Sequence, residues 1–246
     1  MDRALWIVKY DLPDTGRDAY LDWMHGTYMP RLVERPGVSW AVHLLAEGKD
    51  VPTPGRQHAP AGAVPGGYHY SLVAGGRDAH VFADPTPAQF HAALPAADRE
   101  MLAMRIGESM SVMVEQARID GPEAGKRNPN VALSPCILLG SLNLEGGNDD
   151  EILTWFAQVR FPAMKTLPGF VGMRKLVAVS GWAKHGMVYE FESVAAMVEN
   201  YPKVIQNVSP EAAASNKAIM AKSIHAPGSP NVCTRIASVL SKRHAA

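Results

Sequence analysis

Histidine and tyrosine side chains near the N-terminus offer acid–base chemistry. His25 and Tyr28 are three residues apart, so on a helix they share one face. An imidazole titrates near pH 6.5, which suits a general acid or base. A phenol can hydrogen bond a substrate oxygen or a developing oxyanion. The pair predicts proton transfer, with His25 as acid and base and Tyr28 as its partner. The alternative is that His25 caps a turn or lies on the surface.

A second group of candidates lies on strands. Alternation along a strand over 39–46 places His43 on the face opposite to Trp40. His43 then faces either a pocket, as a third catalytic candidate, or an interface between sheets. Asp11 at a strand end can orient a histidine or cap the next turn. The residues predicted to contact a substrate are Tyr10, Asp11, Trp23, Trp40, Tyr68 and Tyr70.

Composition excludes several other functions. The 24 Lys and Arg residues balance 24 Asp and Glu residues, and this argues against nucleic-acid binding. No apolar stretch has the roughly 20 residues of a membrane span, and the N-terminus does not resemble a secretory signal. The two cysteines, Cys136 and Cys233, lack metal-ligand spacing, and no metal or nucleotide motif is present. We therefore expect a cytoplasmic protein that needs neither metal nor nucleotide.

The chain contains an internal repeat with a constant offset. Trp23 and Trp155 are separated by 132 residues, and the same offset relates pairs of proline, glycine and leucine residues. These pairs are Pro30 and Pro162, Pro36 and Pro168, Gly37 and Gly169, Leu12 and Leu144, and Leu44 and Leu176. The titratable and aromatic side chains concentrate in the first copy. Positions alike in both copies are assigned to packing, and the site is assigned to the first copy.

Each copy predicts a β-α-β-β-α-β order. The first unit spans 1–122 and the second 134–246, with a Gly- and Pro-rich insertion over about 48–76 in the first. In the first unit the third strand is predicted at 79–83, and the insertion is predicted to hold a short strand over 68–73. Tyr68 and Tyr70 then form either a lid over a substrate or an ordinary strand edge. Pro30 and Pro162 are expected to kink or end the first helix of each unit.

The segment from Tyr20 to Pro30, followed by Arg35-Pro36-Gly37-Val38, resembles the EthD-like members of the dimeric α+β barrel superfamily. Both halves carry the resemblance. It implies an α+β fold in which two fused ferredoxin-like units form one pseudo-dimeric barrel, with a pocket between sheet and first helix. Members of the superfamily include cofactor-free monooxygenases, isomerases and cyclases, and tandem relatives such as chlorite dismutases bind haem. Where the family helix often carries a histidine, this sequence has Tyr28 and Arg160.

These observations predict an enzyme that acts without a cofactor on a small, apolar, oxygenated metabolite by proton transfer. The reaction would be an isomerisation, elimination or cyclisation, and a cofactor-free oxygenation is also open. One alternative is a haem enzyme with His185 or His225 as its axial ligand. Another is a protein that binds a hydrophobic metabolite without transforming it. A homodimer is expected in each case.

Overall fold

The computed structural model describes residues 2–48, 56–147, 149–206 and 208–242. It contains strands of two to fifteen residues, which are β1 (Ala4–Asp11), β2 (Val38–Ala46), β3 (Gln57–His58), β4 (Tyr70–Gly76), β5 (Ile106–Asp120), β6 (Cys136–Leu144), β7 (Phe170–Ser180), β8 (His185–Phe191), β9 (Ser223–His225) and β10 (Asn231–Leu240). Its α-helices are α1 (Arg17–Trp23), α2 (Met29–Val33), α3 (Pro87–Ala92), α4 (Ala96–Ala103), α5 (Asp149–Trp155), α6 (Phe161–Met164), α7 (Val194–Asn200) and α8 (Pro210–Lys222). None of the described helices is long and apolar enough to cross a membrane.

Eight of the strands close into an antiparallel barrel. Their order is β10-β2-β4-β1-β5-β7-β8-β6, and β6 pairs again with β10. The two halves have the same spatial strand order. It is β2-β4-β1-β5 in the first half and β7-β8-β6-β10 in the second, so in each half the sequence order of the neighbours is second, third, first and fourth. The halves join where β5 pairs with β7 and where β10 pairs with β2. The short strands β3 and β9 lie beside β6, so part of the insertion of the first half reaches the second half.

Alternation along the strands creates an inner and an outer face. On β1, Leu5 and Ile7 point into the barrel, whereas Trp6 and Val8 point outward beneath the helices. The molecule consequently has three apolar clusters: one inside the barrel and one between sheet and helices in each half. The first outer cluster includes Tyr10 and Tyr28, two of the residues predicted to belong to the site.

Of the two outcomes expected for the prolines, a kink or an end of the helix, the second does not occur. A π-helical turn over Met24–Tyr28 joins α1 to α2, and Pro30 follows directly. The equivalent turn, Phe156–Arg160, joins α5 to α6 before Pro162. A π turn shifts the hydrogen-bond pattern by one residue, so the missing N–H of proline is accommodated.

The third strand of the first half was predicted in the wrong place. Residues 79–82 form a short 3-10 turn that the Asp78 side chain caps, and the third strand is β4 instead. Gly75 and Gly76 end β4, and the rings of Trp40 and Phe82 occupy the places where their side chains would lie. Residues 49–55 of the predicted insertion lie outside the described residues.

Candidate active site

The polar candidates of the first half meet where the first helix crosses the outer face of the sheet. His25 Nε2 lies 2.9 Å from Nδ1 of His43, and His43 Nε2 lies 2.8 Å from the Tyr10 hydroxyl. His43 and Tyr10 are fully buried, while His25 is partly exposed at the π turn. The three side chains form one hydrogen-bonded row from the core to the edge of the helix.

Burial controls the charge of this row. It lowers the pKa of His43 well below 6.5, and the neighbouring His25 and Arg105 act in the same direction. It also lowers the pKa of His25, against the weaker opposing effect of Asp22. Burial raises the pKa of Tyr10 well above 10. Both imidazoles are therefore neutral at pH 7, the form in which each has one donor and one acceptor nitrogen.

The row continues to a buried arginine that the sequence reading missed. The Tyr10 and Tyr20 hydroxyls are hydrogen bonded, and Arg105 Nε donates to the Tyr20 hydroxyl at 2.7 Å. The guanidinium lies 4.6 Å from the Tyr10 ring centre and pairs with Glu108 at 2.5 Å. Arg105 follows α4, far along the chain from the first helix, so no local spacing could reveal its place.

Tyr28 belongs to a neighbouring pair and does not join His25. Its hydroxyl lies 2.7 Å from Nε2 of His91 on α3, a residue that was not predicted. Burial raises the pKa of Tyr28 and lowers that of His91 to about 4, so both groups are neutral at pH 7. The π turn widens the helix, and His25 and Tyr28 consequently reach different partners despite their spacing of three.

Two of the predicted aromatic residues border the row. The Tyr70 ring stacks on those of His43 and Tyr10, with centres 5.4 Å and 5.9 Å apart. Trp23 lies beside Tyr20 and Tyr28, and its indole N–H donates to Asp98 at 2.8 Å. Asp98 on α4 thereby fixes the orientation of the Trp23 ring.

The other three predicted contacts lie elsewhere. Trp40 points into the barrel, because it is on the face of β2 opposite to His43, and Arg174 covers its ring. Asp11 does not reach a catalytic histidine: it accepts hydrogen bonds from the backbone N–H groups of Tyr68 and His69, and its Oδ1 lies 2.9 Å from Nδ1 of His69. Tyr68 packs against Gly228 near the start of β10. Asp11 therefore holds the segment before β4 in place.

The second half carries a polar row at the equivalent place, although the sequence predicted a site in the first half only. Lys175 corresponds to His43, and its Nζ lies 3.0 Å from Nδ1 of His185. His185 Nε2 donates to Asp149 Oδ1 at 2.7 Å. Burial lowers the pKa of Lys175 to about 7. For Asp149, burial acts in the opposite direction but is outweighed by Lys184 and His185, so its pKa is lowered.

A haem group can be tested against the two histidines named for it. His185 uses both ring nitrogens in the Lys175–His185–Asp149 row, so it fits no axial role without breaking that row. His225 is buried with both nitrogens lacking a hydrogen-bond partner among the described residues. The cavity of about 560 Å³ in this half is lined by residues from 158–168 and 200–212, which include neither histidine. This cavity therefore presents neither histidine to a bound haem.

Comparison with known proteins identifies the fold of this chain. No family model and no curated protein matches the sequence. An anthrone oxidase-like protein superimposes with a TM-score of 0.62 at 8% identity, over 98% of this chain and 94% of that chain. A proposed monooxygenase from Lactobacillus acidophilus NCFM gives 0.56 at 9% identity, over 98% and 97%. The chain has an α+β barrel fold.

A mutant chlorite dismutase from Candidatus Nitrospira defluvii also matches, with a TM-score of 0.51 at 12% identity over 94% of this chain and 89% of that chain. All three neighbours are α+β barrel proteins, so the predicted α+β barrel fold is confirmed. None of them supports the EthD-like subgroup in particular. At identities this low the likeness concerns the barrel, and the chemistry must be argued from the side chains.

Proposed function

We propose that this chain is an enzyme that moves a proton on a small, apolar, oxygenated molecule, with His25 as the catalytic acid and base. The observation that carries the proposal is the continuous hydrogen-bonded row Tyr10–His43–His25, whose outer member alone is partly exposed. His43 and Tyr10 act through His25 and are positioning residues. No bound group is required, because the row supplies both donor and acceptor.

The row has two hydrogen-bonding arrangements that differ in the outer nitrogen of His25. In the first, His25 Nε2–H donates to His43, His43 Nε2–H donates to Tyr10, and His25 Nδ1 is a free base. In the second, Tyr10 donates to His43, His43 Nδ1–H donates to His25, and Nδ1 carries a proton. Tyr20 can accept from Tyr10 in the first arrangement and donate to it in the second. In both arrangements His43 keeps both of its hydrogen bonds.

This pair of states supports an isomerisation in which atoms balance without a co-reactant. Nδ1 of His25 removes a proton from a carbon next to a carbonyl, and the carbonyl oxygen takes up the electron pair. The same imidazole returns the proton to another atom of the substrate. Trp23, close to the π turn, and the stacked Tyr70 provide aromatic surface that suits an apolar substrate.

An oxygen-dependent reaction is the second candidate, because the barrel superimposes well on the anthrone oxidase-like protein. The initial step is the same proton removal by His25. A CH₂ group between activating groups then reacts with O₂ and becomes a carbonyl, with one water released, so that atoms and electrons balance. Oxygen uptake in the presence of a substrate separates this candidate from simple isomerisation.

We also propose that the two halves are fused ferredoxin-like units that arose by duplication and belong with EthD-like proteins. The equal strand order of the halves and the two π turns 132 residues apart support this view. A homodimer in the cytoplasm remains part of the proposal. Sedimentation analysis of the purified chain tests the oligomeric state.

The experiment that tests the function measures hydrogen exchange. Small ketones, diketones and phenols are incubated in D₂O with the wild-type protein or with His25→Gln, and the loss of C–H signals is followed by proton NMR. We expect catalysed exchange with the wild-type protein and little with the variant. Equal exchange with both would remove His25 from the reaction. Binding without exchange would instead favour a carrier of hydrophobic metabolites.

Haem is tested separately by a visible spectrum of protein made with iron and haem precursor. A stoichiometric Soret band that His225→Ala abolishes would replace the proposal with haem chemistry in the second half.

A further inference from the structure

A buried lysine inside the barrel is not used by the proposed reaction. Lys9 lies on β1 and points inward with Leu5 and Ile7, on the opposite face from Tyr10. It is buried, with 8% of its surface exposed, and its Nζ donates to the Ser141 hydroxyl at 3.1 Å. Ser141 is the residue 132 positions later, on β6. The equivalent positions of the two halves thus meet across the interior.

Hydroxyl groups surround this ammonium. Ser71 on β4 and Ser109 on β5 stand directly opposite Lys9 in the sheet, so they share its inward face. The Ser71 hydroxyl is completely buried, and it has no hydrogen-bond partner among the described residues. The lysine has three donors, of which Ser141 uses one.

The lysine lines a cavity of about 50 Å³ at this end of the barrel. That volume holds about three or four water-sized groups. Ser109, Ser111 and Ser141 form its polar wall, and Ile7, Met113 and Leu139 are among its apolar lining residues. One side can hydrogen bond an anion, and the other can contact a short hydrocarbon chain.

Neighbouring groups leave the lysine without a counter-charge. No carboxylate in the described part of the chain acts on it, and the titratable groups that do are Cys233 on β10 and His225 on β9. Burial raises the pKa of Cys233 to about 12 and lowers that of His225 to about 3, so both are neutral at pH 7. Burial lowers the pKa of Lys9 to about 8, which leaves roughly nine in ten molecules charged at pH 7.

We propose that this cavity binds a short-chain monocarboxylate, whose oxygens accept hydrogen bonds from Lys9 and the surrounding serines. A buried cation without a partner is unfavourable, and a bound carboxylate supplies the missing charge. The small volume restricts the ligand to about two or three carbons. This site lies on the inner face of the sheet and does not depend on the role of His25.

The test compares carboxylates of increasing length by isothermal titration calorimetry at pH 7. Formate, acetate, propionate and hexanoate are titrated into the wild-type protein, with chloride and nitrate as anions that lack a hydrocarbon tail. We expect acetate or propionate to bind most tightly and hexanoate not to bind. Tighter binding of chloride or nitrate would overturn the assignment to carboxylates.

Variants identify the site. Lys9→Met should weaken acetate or propionate binding at least tenfold, and the change of the exposed Lys165 to Met should leave it unchanged. Ser141→Ala should give a smaller loss. Circular dichroism shows whether each variant is folded. Equal affinity in Lys9→Met and the wild-type protein would overturn the proposal.

A second readout does not depend on any variant. In protein labelled with ¹³C at lysine Cε, saturation with the carboxylate should move the titration midpoint of Lys9 upward from about 8, because the anion stabilises the ammonium. By the same linkage, affinity should fall about tenfold for each pH unit above that midpoint. A midpoint that does not move in saturating acetate and propionate would contradict binding at Lys9.

Discussion

The two halves of the barrel place different chemistry at equivalent positions. In the first half His43 connects Tyr10 to His25, and every member of this row is neutral at pH 7. In the second half Lys175 connects through His185 to the charged Asp149. A neutral row can reverse its hydrogen bonds, whereas a row that ends at a carboxylate is held in one direction. The proposed proton transfer at His25 relies on this reversal.

The largest expected effect comes from substituting one residue of each row and comparing the losses of activity. His25→Ala should lower kcat/KM for the exchange reaction by about 100- to 10,000-fold, the usual contribution of a general acid or base. Lys175→Met, at the equivalent of His43, should change it by less than about twofold. If Lys175→Met caused the larger loss, the active row would be the one in the second half.

The lysine of the second row should appear in the pH dependence of stability. Its pKa is about 7 in the folded protein and 10.5 when exposed, so between these values the unfolded chain binds more protons. The free energy of unfolding therefore rises with pH across this window, by as much as about 5 kcal/mol. Urea unfolding of Lys175→Met should lack most of this rise.

Lys9 provides a control for that experiment because its own contribution begins near pH 8 and is present in both proteins. A profile of Lys175→Met that matched the wild-type profile would show that Lys175 is not held in a buried, uncharged state. Below pH 6.5 the stability of both proteins should fall, since His43 takes up a proton only when the chain unfolds.

Repetition in the sequence predicted much of the fold. The constant offset of 132 residues identified the two halves, which have the same strand order in the structure. Strand alternation also placed His43 and Tyr10 on their observed faces. The strand predicted over 68–73 was assigned to the insertion, but it is β4, the third strand of the first half, and it extends to Gly75 and Gly76 against the rings of Trp40 and Phe82.

The candidate site was predictable only where local spacing carried the information. His25, His43 and Tyr10 could be grouped from one helix and two strands. Arg105, His91 and the row from Lys175 to Asp149 depend on contacts between distant segments. The second row was not found by comparing equivalent positions, because only Lys175 occupies a position of the first row. His185 corresponds in the sheet to Tyr70, and Asp149 lies at the start of α5.

Positions that are alike in both halves should respond alike. Gly37 and Gly169 have φ angles of +87° and +76°, and an added Cβ would lie 2.5 Å from Val81 and 2.6 Å from Ala196. Replacement of either by alanine should lower the free energy of unfolding by about 1–3 kcal/mol. Gly125→Ala, where a Cβ meets nothing within 4 Å, is the control and should have a much smaller effect. A large loss in one half alone would show that the turns are not equivalent.

Removal of one hydroxyl from the first row should have the smallest effect and the most specific one. Tyr10→Phe keeps the ring that stacks on His43 and Tyr70 but leaves His43 Nε2 without its partner, so the row can no longer alternate between its two arrangements. We expect kcat/KM to fall about tenfold, which corresponds to about 1.4 kcal/mol.

A control variant in the second half is Tyr189→Phe, which removes a buried hydroxyl 3.2 Å from Arg160 Nε, outside both rows, and should leave kcat/KM within about twofold. In the wild-type protein the acidic limb of the pH–rate profile should have its midpoint below 6.5, because burial lowers the pKa of His25. Tyr10→Phe should lower kcat/KM both on the plateau of that profile and on its acidic limb. A tenfold loss confined to acidic pH would mean that Tyr10 acts on the charge of His25 and not on the direction of its proton.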